Sequence, residues 1–87
     1  LKTIHVGNMI KKELKAQGRT VTWLAQAVHM ERSSIYKIFD RNSIDVGLLV
    51  RISLVINHDF FDDISRKMHD NYDEIFQLYL NFQQKRI

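Results

Sequence analysis

The stretch VTWLAQAVHMERSSIYKIFD, residues 21–40, decides the fold. Its apolar residues recur at three- and four-residue intervals on either side of a short break at His29 and Met30, which is the spacing of two amphipathic helices. Thr20 precedes the first of them, where its hydroxyl can accept a free N–H of the first turn. The faces predicted to be buried contain Val21, Leu24, Ala25 and Val28 in the first helix and Ile35, Ile38 and Phe39 in the second. The pattern therefore predicts two short helices joined by a tight turn.

The flanking sequence continues the helical spacing in both directions. Upstream, Val6, Ile10 and Leu14 form one stripe, and Gly18 is a stop signal. Downstream, Asp45 is a predicted N-cap, and Asn57 can take the left-handed conformation that ends a helix. The face predicted to be buried between them contains Val46, Leu49, Ile52, Val55 and Ile56. Asp59 is then expected to cap a short fifth helix through Phe60, Phe61 and Ile64. Five short helices place the chain in the all-α class.

The last segment, from Asp70 onward, fits two interpretations. Tyr72, Ile75, Phe76, Tyr79 and Leu80 fit a helical stripe. Alternating residues from Phe76 to Phe82 fit a strand, and the balance only slightly favours the helix. We expect a domain at residues 1–66 and an amphipathic extension at 67–87. Its apolar surface either packs back on the chain's own core or contacts a second copy.

The composition limits the function. With 87 residues, the chain is expected to be one small domain, and it has no cysteine for disulfides or thiolate sites. The four histidines lack the spacing of helical metal ligands, and no catalytic or phosphate-loop motif occurs. Residues 1–41 hold eight basic and three acidic side chains, a net charge of +5, whereas residues 42–87 hold five and seven, a net charge of −2. A basic half of this kind suits a polyanion. We expect a cytoplasmic protein that is not an enzyme and takes no cofactor, metal or small-molecule ligand.

The spacing within residues 21–40 resembles the Cro and phage-repressor (XRE-type) family. Counted from Val21, the small residue Ala25 is fifth, His29 is ninth in the turn, and Ile35 and Ile38 are fifteenth and eighteenth. The resemblance covers roughly residues 6–64 and implies a five-helix, lambda-repressor-like helix-turn-helix domain. Three positions depart from the family pattern: His29 replaces a turn glycine, Glu31 a capping hydroxyl and Phe39 a frequent glutamate.

The resemblance implies a DNA-binding transcriptional regulator, with a recognition helix at about residues 31–39 in the major groove. Its base-reading residues would be Arg32, Ser33, Tyr36 and Lys37. Its phosphate contacts would be Thr20, Thr22, Ser34, Arg41, Asn42, Ser43, Lys11 and Lys12. Its partners would be double-stranded operator DNA, palindromic in sequence, and a second copy of the chain, with no membrane. An alternative is a protein-interaction module or antitoxin that uses the same fold.

Overall fold

The computed structural model describes residues 4–85, and these residues form five α-helices and no strand. This confirms the all-α prediction. The helices are α1 (Val6–Ala16), α2 (Val21–Ala27), α3 (Arg32–Phe39), α4 (Val46–Ile56) and α5 (Phe60–Lys85). None of these five helices is long and apolar enough to cross a membrane.

Three of the predicted start and stop residues, Thr20, Asp45 and Asn57, are confirmed. The Thr20 hydroxyl accepts the N–H of Trp23 at 3.0 Å, and a carboxylate oxygen of Asp45 accepts the N–H of Leu48 at 3.1 Å. Asn57 ends α4 in the left-handed conformation, with φ 60° and ψ 49°. His29, in the turn between α2 and α3, has a φ of 57°, which a non-glycine residue adopts at a cost. Local side-chain chemistry therefore fixes the ends of these elements.

Residues 5–60 form one unit, here called the N-terminal unit, and the second unit contains Ile4 and residues 61–85. The core of the N-terminal unit takes one fully buried side chain from each of its four helices: Ile10, Leu24, Ile35 and Ile52 are all 0% exposed. The other core residues are Val6, Leu14, Ala25, Val28, Ile38, Phe39, Leu49, Ile56 and Phe60. The prediction was wrong for Val46, which is 66% exposed because α4 turns this first-turn position away from the core.

The start of α1 lies directly against the turn that follows α3. The backbone N–H groups of Val6 and Gly7 donate to the carbonyls of Asn42 and Arg41, both at 2.9 Å. A Cβ atom on Gly7 would overlap the carbonyl oxygens of Ile38 and Phe39 and lie 2.6 Å from the Phe39 carbonyl carbon. Only glycine therefore permits this approach of two backbones.

The prediction of a short fifth helix was wrong. α5 runs without interruption for 26 residues from Phe60 to Lys85, so the extension is helical and not a strand. Met68 and Tyr72 continue the apolar spacing of four residues from Ile64, and no glycine or proline in this stretch ends the helix. Of the residues named for the short helix, Phe60 is fully buried and Phe61 is 38% exposed. The predicted domain boundary at residue 66 lies within α5.

Candidate nucleic-acid interface

Helix α3 has one buried and one exposed side. Ile35, Ile38 and Phe39 are buried, because α3 packs on both α1 and α2. The four residues predicted to read bases are all exposed: Arg32, Ser33, Tyr36 and Lys37. Ser34, a predicted phosphate contact, is half-buried. The exposed side of α3 therefore presents hydrogen-bond donors and an aromatic ring, and the buried side fixes the helix in the core.

The residue that precedes α3 carries a negative charge. Glu31 is the N-cap residue, but its side chain makes no capping hydrogen bond and is exposed. Its carbonyl accepts the N–H groups of Ser34 and Ile35. An exposed carboxylate here repels phosphate but can accept a hydrogen bond from the amino group of cytosine.

A depression between α1 and α3 is lined by three basic residues. Lys11, Lys15 and Arg19 line a shallow depression together with Tyr36, and the apolar walls of this depression include Leu14, Val21 and Phe39. We call these three residues and Tyr36 the basic groove. Lys11 was a predicted DNA contact, whereas Lys15 and Arg19 were missed. The spacing of four residues between Lys11 and Lys15 puts both on one face of α1, a signal that was present in the sequence.

Arg19 is held in position by its neighbours. Its guanidinium carbon lies 3.9 Å from the centroid of the Trp23 ring, and its Nε donates to the side-chain oxygen of Gln17 at 3.2 Å. Trp23 is half-buried. The stacked guanidinium occupies one face of the indole, and a cation fixed in this way loses less freedom on binding an anion than a free lysine does.

The remaining predicted phosphate contacts lie at three places. Thr20 and Thr22 are exposed at the start of α2, where Thr20 has its capping role. Arg41, Asn42 and Ser43 are exposed in the turn between α3 and α4. Lys12 is exposed on α1 but does not line the basic groove.

The described residues offer no enclosed polar site. Across residues 4–84, no charged or polar side chain is fully buried. Among the same residues, no three histidine, aspartate or glutamate side chains are placed to hold a metal ion. The polar chemistry of the described chain is therefore on its surface.

No protein-family model matches this chain, and neither a curated protein nor a solved structure is significantly similar to it.

Proposed function

We propose that this chain is a sequence-specific DNA-binding transcriptional regulator of the Cro and phage-repressor type. In this proposal the N-terminal unit is a lambda-repressor-like domain, α2 and α3 are its helix-turn-helix, and α3 enters the major groove. The observation that carries the proposal is the basic groove beside the exposed side of α3. A helix that reads bases needs exposed donors on one side and cations next to it for the flanking phosphates.

Base reading is assigned to Arg32 and Lys37, with Ser33 and Tyr36 between them. Arg32 lies in the first turn of α3 and its guanidinium can bind guanine O6 and N7 with two parallel hydrogen bonds. Lys37 lies in the last turn on the same exposed side. The Ile35 and Ile38 anchors fix the rotation of α3, so both side chains keep their direction.

Phosphate binding is assigned to the basic groove and to the exposed turn after α3. Lys11, Lys15 and Arg19 are expected to act mainly through charge, whatever the DNA sequence. Arg41, Asn42 and Ser43 add hydrogen-bond donors on a backbone that is tied to α1. Binding is therefore expected to weaken steeply as salt rises, because each phosphate contact releases a condensed counterion.

The test is selection from randomised double-stranded DNA at low salt, with the wild type, Arg32→Ala and Lys37→Ala compared. We expect the wild type to enrich one sequence. Each variant should lose about 1–3 kcal/mol of discrimination at one position of that sequence, since one base contact is removed. Arg51→Ala is the matched control, because Arg51 is also exposed but lies on α4.

The salt dependence of binding distinguishes phosphate contacts from base contacts. Lys15→Ala should reduce the slope of log K against log salt by about one and leave the selected sequence unchanged. If the wild type enriches no sequence at low salt, the DNA-binding proposal is wrong.

A second candidate, a protein-interaction module or antitoxin, is favoured by one observation on α4. Val46, Val50 and Leu54 are 66%, 41% and 74% exposed and lie four residues apart, so they form an apolar stripe on one face of the helix. Beside it, Leu54 and Val55 line a depression with Ala27, Val28 and His29. Apolar side chains in such a row are typical of a surface that binds another protein.

The two candidates differ in a simple measurement. A DNA-binding protein is retained on a heparin column and released by moderate salt, whereas a protein-interaction module that uses its α4 stripe is not. Val50→Asp should leave heparin retention unchanged if DNA binding is the function, since Val50 lies on α4 and does not line the basic groove.

A further inference from the structure

The basic groove combines charged and apolar surface in one depression. Its three cations can neutralise a phosphate group, but the walls between them are formed by the apolar side chains of Leu14, Val21 and Phe39. The depression has a volume of about 330 Å³, at the lower end of the range of small-molecule sites. A duplex DNA backbone presents charged phosphates and keeps its base faces stacked inside. The groove therefore offers apolar contact that a backbone phosphate does not use.

The cations of the groove have no acidic neighbour. Glu13, the one acidic residue of α1, does not line the groove, and its carboxylate lies 3.4 Å from Nδ1 of His58. Within residues 4–85, neither Lys11 nor Lys15 is paired with a carboxylate. The guanidinium of Arg19 is held against an indole ring. Three positive charges, one of them already ordered, are therefore open to an anion.

Tyr36 adds a flat aromatic surface beside these charges. Its side chain is 51% exposed. Phe39 contacts it edge to face, with ring centroids 6.1 Å apart and ring planes at 89°, so Phe39 does not stack flat on it. Any nucleobase can stack on an aromatic side chain, because every base has a π-face. The groove thus holds, side by side, a surface for a base and a surface for a phosphate.

We propose that the basic groove binds a nucleoside monophosphate, with its phosphate on Lys11, Lys15 and Arg19 and its base against Tyr36. This ligand differs from the sequence-based expectation that the chain takes no small-molecule ligand. Nucleotide binding does not depend on DNA binding. Its regulatory consequence does rest on the proposed function: a nucleotide in the groove neutralises the cations assigned to DNA phosphates and weakens DNA binding by competition.

The test is a titration of ¹⁵N-labelled protein with AMP at low salt, followed by NMR without DNA. Trp23 gives a single indole N–H signal, because the chain has one tryptophan, and Gly18 lines the groove. We expect both signals to shift and to saturate with a dissociation constant of about 1 mM or below. Inorganic phosphate and adenosine each offer one half of the ligand. Each should bind at least about tenfold more weakly, because joining two binding groups makes the second contact intramolecular.

Two double variants remove the same charge from different places. Lys11→Gln with Lys15→Gln removes two cations from the groove and should weaken AMP binding about tenfold. Lys12→Gln with Arg51→Gln removes two exposed cations outside the groove and should change it less than about twofold. Tyr36→Leu removes the ring and should weaken AMP binding about fivefold without changing the binding of inorganic phosphate. The dispersion of the ¹⁵N spectrum confirms that each variant is folded.

Three results would overturn the inference. The first is the absence of any shift of the Trp23 and Gly18 signals up to about 10 mM AMP. The second is inorganic phosphate that binds as tightly as AMP, since the ring and the apolar walls would then contribute nothing. The third is an equal loss in the two double variants, which would assign the binding to net charge. None of these readings depends on DNA, so this proposal and the proposed function can fail separately.

Discussion

The N-terminal unit and α5 contain the same kinds of apolar side chain but differ in how these are covered. Ile52 is 0% exposed in the N-terminal unit, whereas Ile75 is 50% exposed on α5. Phe60, at the junction, is 0% exposed, and Phe76 is 55% exposed. In the first region each helix finds apolar neighbours on other helices, and in the second the face remains open. Helical spacing alone therefore identifies an apolar face but not what covers it.

The largest expected effect compares one substitution in the two regions. Ile52→Ala should lower the free energy of unfolding by about 2–5 kcal/mol, because it leaves a cavity in a closely packed core. Ile75→Ala should cost less than about 0.5 kcal/mol, since exposed positions away from special features contribute little. Urea denaturation measures both. An equal cost for the two variants would mean that Ile75 is packed in the folded chain and not half-exposed.

The next largest effect concerns the backbone of the N-terminal unit, where Gly7 at the start of α1 lies against the end of α3. Gly7→Ala should destabilise the protein by about 1–3 kcal/mol, since the added methyl group overlaps the carbonyls at the end of α3. Gly47→Ala is the control, because its Cβ meets only a carboxylate oxygen of Asp45, at 3.0 Å. Alanine favours a helix over glycine by up to about 1 kcal/mol, which offsets a shift of the capping carboxylate, so this control should lose less stability than Gly7→Ala in thermal unfolding. A neutral Gly7→Ala would show that α1 can move away from the turn.

The smallest expected effect concerns the turn between α2 and α3 in the N-terminal unit. His29→Gly should raise the free energy of unfolding by up to about 1 kcal/mol, because glycine adopts its φ of 57° without steric cost. His29→Ala should lower it, since alanine keeps the steric cost of the left-handed conformation. Chemical denaturation of the three proteins ranks them. A loss of stability in the glycine variant would show that the imidazole, which lines the depression beside α4, contributes more than the strain.

Features controlled by neighbouring residues could be predicted from the sequence. The N-caps Thr20 and Asp45 and the left-handed Asn57 depend on hydrogen bonds and torsions within a few residues, and all three are confirmed. The exposure of Val46 depends on how far other helices extend, which its spacing cannot reveal. The length of α5 was underestimated because the short fifth helix and the segment from Asp70 onward were predicted as separate elements, although Met68 links them at helical spacing.

The candidate site was predictable only in part, because some of its residues come together through packing between helices. Arg32 and Lys37 lie within the segment that decided the fold, so their exposure followed from the spacing of Ile35 and Ile38. The basic groove joins Lys15 and Arg19 to Tyr36, and these residues come together only because α1 packs against α3. The spacing of Lys11 and Lys15 on α1 could be seen in the sequence, but the position of Tyr36 beside them depends on tertiary packing.

The two hydrogen bonds from the start of α1 to Arg41 and Asn42 affect the entropy change when a ligand binds the turn after α3. These bonds fix the backbone of the turn after α3 before any ligand arrives. Fixing the backbone of one residue costs about 1–2 kcal/mol in conformational entropy. In this turn the backbone is already ordered in the folded protein, so binding does not add that cost. A polyanion that binds Arg41, Asn42 and Ser43 therefore orders side chains alone. Calorimetry of such a complex should show a smaller entropic loss than a disordered basic loop of the same charge would give.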